Sequence, residues 1–216
     1  MKLLIAIPCM DTLPVQFAQS MTDLMMDREN TKILYHANSL VYDSRNLIAF
    51  TAIKEGFDYV MWFDSDMVFA PATMEVLLKD AQENNYDMVS GLYFKRRIPI
   101  TPVIYDSIQE PEQIDGKLIK RVSTYDNYPH DSIFEIQGCG FGCVLTSVPL
   151  LQRVVDQFGI PFNPFPWAGE DLSFCYRVQK TGTKMYCDSR VKCGHVGQIV
   201  YSEAVYNTMQ IRSDTK

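Results

Sequence analysis

No stretch of this chain approaches the roughly 18 consecutive apolar residues that a membrane-spanning helix requires, so nothing in it reads as a transmembrane segment. The opening run Leu3–Leu4–Ile5–Ala6–Ile7 is too short for a signal-peptide core and stops at Pro8, which makes it a strand rather than a leader. Without a secretory signal the expected location is cytoplasmic, and the six cysteines are expected as reduced thiols rather than a disulfide framework. Cys187, Cys193 and His195, with Cys139 and Cys143, raise the question of structural zinc, but their spacings match no common zinc module. Basic excess is lacking as well. The formal charge of −6 argues against a general nucleic-acid binder and leaves Lys95–Arg96–Arg97 as the obvious local basic patch. Nor is there a phosphate-binding P-loop, because no Gly-Lys-Ser/Thr ending follows the glycines of 138–142. The dinucleotide fingerprint is excluded too, since a strand and not a helix comes next.

What remains is the balance of a folded globular protein. The 216 residues are 47% apolar and 21% charged, enough for a substantial core in a single domain, 1–216. Leu3 to Ile7 predicts a first strand, with Cys9–Met10–Asp11 in the loop above it. Pro14 to Asp27 has helical spacing, with Val15, Phe17, Ala18, Met21, Leu24 and Met25 on the apolar face. Thr31 to His36 predicts a second strand, and Asp43–Ser44 offers an N-cap for a helix from Arg45 to Glu55 that Gly56 ends. Such alternation implies an α/β fold, with a mostly parallel central sheet flanked by helices. Pro71 to Asn84 predicts a helix and Asp87 to Tyr93 a strand. The span from Ile98 to Ile136 is less regular. Pro102–Tyr105 and Leu118–Val122 predict short strands of a small antiparallel region, with Asp115–Gly116 as the turn between them. Val144–Leu145 then predicts a strand, Pro149–Phe158 a helix closed by Gly159, and Leu172–Val178 a helix ending at Gly182. Lys184–Asp188 predicts a last strand before His195.

The stretch with most chemical consequence is Tyr59–Phe63, an unbroken apolar and aromatic run suited to a strand buried on both faces. It ends in Asp64–Ser65–Asp66. At the carboxyl end of a buried strand, a turn aims both carboxylates at the crevice where open α/β sheets bind ligands. Two carboxylates this close repel unless a cation or hydrogen-bond donors compensate, and hard oxygen ligands suit Mg²⁺ or Mn²⁺. The ordinary alternative is that Asp66 caps the turn before Pro71. Arg45 and Asn46, in the first turn of a helix, suit either a solvated surface or an anion, where a guanidinium pairs with phosphate. Gly138, Gly140 and Gly142 permit either a structural bulge or a backbone floor for a sugar. Glu170 and Asp171 sit where a helix dipole favours acids. With Trp167 nearby, they also suit a sugar site with an aromatic face against the ring.

Taken in order, Ile5–Ala6–Ile7–Pro8, Asp43–Ser44–Arg45–Asn46, Asp64–Ser65–Asp66, Gly138 to Gly142, Gly169–Glu170–Asp171–Leu172 and Cys193–Gly194–His195 resemble the family-2-like glycosyltransferases with the glycosyltransferase-A fold. The resemblance runs from the first strand to about Gly197. It implies a metal-dependent, hexosyltransferase-like enzyme moving a sugar from a UDP- or GDP-sugar to a hydroxyl of a glycan, lipid or small molecule. It implies a nucleotide-binding half of about 1–97, an acceptor-side half of about 98–200 and a tail of about 201–216. By the same likeness Mn²⁺ or Mg²⁺ would be bound by Asp66 and His195. Asp64 would stand beside it, on the cation, its water or the ribose. Pro8, Asp11, Asp43, Arg45, Ser65, Gly138 and Trp167 would contact the nucleotide-sugar. Asp171 would be the base of an inverting enzyme, with Glu170 as fallback; retaining relatives use such acids to position substrates. A nucleotidyltransferase on a similar sheet would want a glycine-rich basic signature where this chain has Cys9–Met10–Asp11–Thr12. A non-catalytic carbohydrate-binding module would have no need of Asp64, Asp66, Asp171 and His195 together.

Overall fold

The computed structural model describes residues 1–114, 117–197 and 200–213, so the turn expected at Asp115–Gly116 lies outside the described residues. The chain opens with β1 (Leu3–Cys9), α1 (Val15–Asp23), β2 (Thr31–Ala37), α2 (Val41–Glu55), β3 (Tyr59–Phe63) and the short β4 (Met67–Val68). It continues through α3 (Thr73–Asn84), β5 (Met88–Leu92), β6 (Ile104–Ile114), β7 (Lys117–Thr124), β8 (Ile133–Ile136), β9 (Gly138–Cys139) and β10 (Cys143–Ser147). The last elements are α4 (Val148–Phe158), α5 (Glu170–Lys180), β11 (Met185–Lys192), β12 (Gly194–Val196), β13 (Val200–Tyr201) and α6 (Glu203–Ser213).

Among the described residues, seven strands form the main sheet in the order β2-β1-β3-β10-β5-β11-β8. Five run in one direction, while β10 and β8 run against them. The sheet is thus mixed, and mostly parallel by strand direction. β3 lies between β1 and β10, which is why Val60, Met61, Trp62 and Phe63 are all 0% exposed. The Trp62 indole N–H donates to Thr146 Oγ1 at 2.9 Å, so this core polar group is satisfied. Beside it, Phe141, Phe162 and Phe174 pack in edge-on and stacked pairs 4.4 to 5.2 Å apart. That apolar bed carries the elements of the cleft above it.

Several boundaries differ from those the sequence predicts. α2 begins at Val41, a turn before Arg45, and no side chain caps it. Asp43 lies within its first turn, and the Ser44 hydroxyl pairs with His36 Nδ1 at 2.9 Å instead. Its end is as expected: Gly56 is left-handed (φ 67°), and its N–H closes on the carbonyls of Ala52 and Ile53. α1 stops at Asp23 because Leu24 turns to extended backbone and enters the core. The β6–β7 hairpin is longer than two short strands. Its polar residues leave no alternation of burial to read, so only its apolar pieces were visible. β8, four residues after a polar loop, was not predicted at all. All six cysteines are free, and among the described residues no three His, Cys, Asp or Glu side chains cluster to hold a metal. No described helix is long and apolar enough to cross a membrane.

Candidate active site

A cavity of about 750 Å³ opens over the carboxyl ends of β1, β3 and β5, lined among others by Pro8, Asp64, Ser65, Tyr93 and Tyr105. This is the edge at which open α/β sheets place ligands. β3 ends in a tight turn: the Asp64 N–H donates to the Gly142 carbonyl at 3.2 Å, and the Met67 N–H returns to the Asp64 carbonyl at 3.2 Å. β4 then pairs antiparallel with β12, His195 opposite Met67, while the Val196 N–H donates to the Asp66 carbonyl at 2.8 Å. Two segments 129 residues apart in sequence thereby bring Asp66 and His195 together by backbone pairing alone, with His195 Nε2 3.4 Å from Asp66 Oδ1.

The polarity of that pair is informative. His195 Nδ1 is 2.9 Å from the Phe94 carbonyl, which only accepts, so Nδ1 carries the hydrogen. In the neutral ring Nε2 therefore turns a lone pair toward Asp66 Oδ1, a buried oxygen with no hydrogen-bond partner. Two electron-rich atoms facing each other call for a positive charge between them. A backbone-anchored imidazole and a carboxylate are also the donor set of a divalent-cation site with its outer support in place. Two such groups make half a site. Mg²⁺ in particular is often held by one or two carboxylates and completed by substrate phosphates and water.

Arginines neutralise the other carboxylate oxygens. Arg96 reaches Asp66 Oδ2 at 2.7 Å and the Val196 carbonyl at 3.0 Å. Arg45, 2% exposed beneath the cavity, holds Asp64 Oδ1 at 2.7 Å and also pairs with Glu170. Its guanidinium lies 5.2 Å above the Phe141 ring. Burial pushes the Asp66 carboxyl up, but the hydrogen bond and charge of a protonated His195, followed by Arg96, outweigh it and leave it below the usual range. Asp171, in the first turn of α5, moves the other way. Burial and then the Glu170 charge raise it to about 6, against the pull of Arg45 and of the Leu172 N–H at 2.7 Å. Within one cavity, one carboxyl is thus pulled below the usual range and another is pushed above it. Lys95, Arg96 and Arg97 line the same cavity, and burial followed by the Arg97 charge holds the Lys95 ammonium below its ordinary value.

The sequence profile of glycosyl transferase family 2 matches residues 17–139, more than half of the chain. The chain belongs to glycosyl transferase family 2. No curated protein matches it. Among solved structures, the crystal structure of A197 from STIV aligns with a TM-score of 0.65 at 17% identity, covering 91% of this chain and 86% of that one. That likeness shows the shared fold, the glycosyltransferase-A architecture. Family membership makes the protein a glycosyltransferase of the kind that draws on a nucleotide-sugar donor.

In this family 2 chain the cavity gathers Pro8, Arg45, Asp64, Ser65, Asp66, Glu170, Asp171 and His195. Four residues expected to contact the donor are not among its lining residues. Asp11 and Asp43 are solvent-side residues of the 9–11 loop and the first turn of α2. Gly138 is buried in β9, where an added Cβ would lie 2.3 Å from Ile108 Cδ1. Trp167 is half-buried in a separate groove. Two of the expected residues are already paired with each other. The Arg45 guanidinium is taken by carboxylates rather than offered to a phosphate, and Asp64 faces Arg45 rather than the Asp66–His195 pair. Asn46 is buried too, its Oδ1 accepting from the Phe162 N–H at 2.8 Å.

Sequence reasoning missed Tyr93 and the pairing of Arg96. Tyr93, the residue after β5, is buried; its hydroxyl accepts from the Gly142 N–H at 3.0 Å, and its ring meets His195 edge-on at 5.5 Å. This explains the glycines without a sugar floor. A Cβ on Gly140 would lie 2.1 Å from Tyr93 Oη, and one on Gly142 2.8 Å from Cζ. Gly140→Ala is therefore expected to destabilise by about 1–3 kcal/mol through overpacking. Chemical denaturation measures this, and an unchanged midpoint would remove the packing account of that glycine.

Proposed function

We propose that this glycosyltransferase moves a hexose from a UDP- or GDP-sugar to an acceptor hydroxyl, with Mn²⁺ or Mg²⁺ held by Asp66 and His195 and Asp171 as general base. The observation that most supports this is the convergence on one cavity of three groups: the half-built cation site, the basic run 95–97 and a carboxyl raised to about 6. A divalent cation bound there supplies a Lewis acid for the oxygens of a departing nucleoside diphosphate. Lys95 and Arg97 offer further positive charge where the diphosphate would lie. Asp171 takes the proton of the acceptor hydroxyl as its oxygen attacks the anomeric carbon, and the nucleoside diphosphate leaves with the electron pair of the broken bond. Arg45 keeps Asp64 and Glu170 compensated beneath.

The direct test is release of nucleoside diphosphate from a panel of nucleotide-sugars, with and without Mn²⁺. Release from one UDP- or GDP-sugar that needs the cation is the expected result, and undiminished release after chelation would discard the cation site. His195→Ala is expected to raise the Mn²⁺ concentration needed for half-maximal turnover, and an unaltered titration would return His195 to a structural role. Arg96 supplies a further check, because its guanidinium and a cation compete for one carboxylate. Arg96→Gln is expected to tighten Mn²⁺ binding to the free protein, followed by the loss of the free Mn²⁺ paramagnetic resonance signal. Weaker binding in the variant would make Arg96 a support of the site instead.

A further inference from the structure

A second groove, of about 480 Å³, adjoins the active-site cavity and shares Lys95 and Tyr105 with it. Its other lining residues include Ser123 and Thr124 at the end of β7, Asp126, and Trp167. It also includes Gly169 and Leu172, the two residues that flank Glu170–Asp171. A molecule lying in this groove is therefore beside the candidate base and outside the Asp66–His195 pair.

Tyr105 and Trp167 are the aromatic residues of the groove, and Trp167 is held in place without a ligand. Trp167 stacks on Phe165 at 5.2 Å and 8°, and meets Tyr176 edge-on at 5.4 Å. The Arg177 guanidinium lies 4.3 Å over the Phe165 ring. Ser173 Oγ accepts the Phe165 N–H at 2.8 Å and donates to the Ala168 carbonyl at 3.0 Å, pinning the short turn that carries Trp167. A platform fixed in advance spares the ordering cost of binding. The remaining chemistry is neutral in sum: one ammonium, one carboxylate and the hydroxyls of Ser123, Thr124 and Tyr105, beside the apolar side chains of Val122, Ala168 and Leu172. Such a mixture suits a polyhydroxylated ring, its C–H face on the indole and its hydroxyls toward Ser123 and Thr124.

We propose that this groove is the acceptor subsite and that the acceptor is a neutral saccharide whose ring rests on Trp167. The assignment of the groove to the acceptor rests on the donor reading given above. The sequence holds two tryptophans, and Trp62 is fully buried in the core, so a ligand-induced change in tryptophan emission reports on Trp167. The experiment titrates neutral disaccharides of glucose, galactose and N-acetylglucosamine, α- and β-linked, into the whole protein with UDP or GDP and Mn²⁺, and again without them. At least one disaccharide is expected to shift the emission saturably. Its affinity is expected to fall at least tenfold in Ser123→Arg, an exposed strand position where the new side chain fills the groove without touching the core. Nucleotide affinity by calorimetry is expected to stay within twofold in both Ser123→Arg and Trp167→Ala. No emission change with any disaccharide, or equal affinity in Ser123→Arg, would overturn the proposal. Lost nucleotide affinity in Trp167→Ala would give the groove to the donor, and octyl glucoside binding over tenfold tighter than methyl glucoside would give it to a lipid. Either result overturns it. Failure of UDP and GDP to bind the wild-type protein is read separately and defeats the donor reading, not saccharide binding on Trp167.

Discussion

Asp171→Asn is expected to lower turnover by about 10²- to 10⁴-fold, the range for losing a positioned general base, with nucleotide affinity kept. Burial and the Glu170 charge together raise its carboxyl to about 6. A base works ionised, so wild-type turnover is expected to rise with pH through about 6 and level off above it. Glu170→Gln removes the second cause and releases Arg45 from its other partner, so the rising limb is expected to move to lower pH. Stability has the opposite sense. A folded-state value above the ordinary 3.8 means that the folded protein favours protonated Asp171. The stability this lends is fully present below the ordinary value and is lost as pH climbs through about 6. Asp80, also raised to about 6 by burial and Asp188, adds to the same window. Asparagine at 171 abolishes its share while still accepting the Leu172 N–H. The variant is therefore expected to melt at or above the wild-type temperature near pH 8, though nearly inactive. Full turnover would remove Asp171 as base, and a lower melting temperature near pH 8 would mean that its charge supports the fold.

Asp66→Ala is expected to cost roughly 10³-fold or more in cation-dependent turnover, because Lewis-acid stabilisation of a leaving group is worth several kcal/mol, at about 1.4 kcal/mol per decade. The effect should be this large because the proposed site has two side chains for the cation and Asp66 is the anionic one. Against the effect of burial, a protonated His195 and Arg96 hold its carboxyl below the usual range. Mn²⁺ binding to the free protein and Mn²⁺-dependent UDP or GDP affinity are expected to fall together. Residual turnover that is the same with Mn²⁺ and with chelator is the signature sought. Retained Mn²⁺ stimulation would place the cation elsewhere.

The parts of this molecule visible in its sequence are those governed by local periodicity. Tyr59–Phe63 was readable as a buried strand because all five of its residues are apolar or aromatic, and Gly56 as a helix end because only glycine closes that turn easily. The acids were readable because they follow such elements at short range. What could not be read was which charge meets which. Nothing in the spacing says that Arg45 turns inward to Asp64 and Glu170, or that Arg96 rather than a cation compensates half of Asp66. The surroundings of Gly138 and Trp167 were unreadable for the same reason. A glycine shows that space is tight but not what fills it, and Cys175 and Ile108 fill it here. An aromatic side chain near two acids shows proximity in the chain but not which side of the helix start it occupies. Tyr93 gave no signal, since it continues the apolar run of β5 and its role lies in a hydroxyl.

The Asp66–His195 meeting is made by two short strands rather than by a folded pocket of side chains. Side chains alternate sides along such a ribbon, so slippage by a single residue would turn the imidazole to the far side. One added or deleted amino acid between Lys192 and His195 would thus silence the site while leaving the large sheet whole. Gly194 guards that frame sterically: a Cβ there would come within 2.6 Å of Val200 on the next strand. Val200 and Tyr201, which pair with Val196 and His195, therefore help keep the Asp66–His195 pair in register.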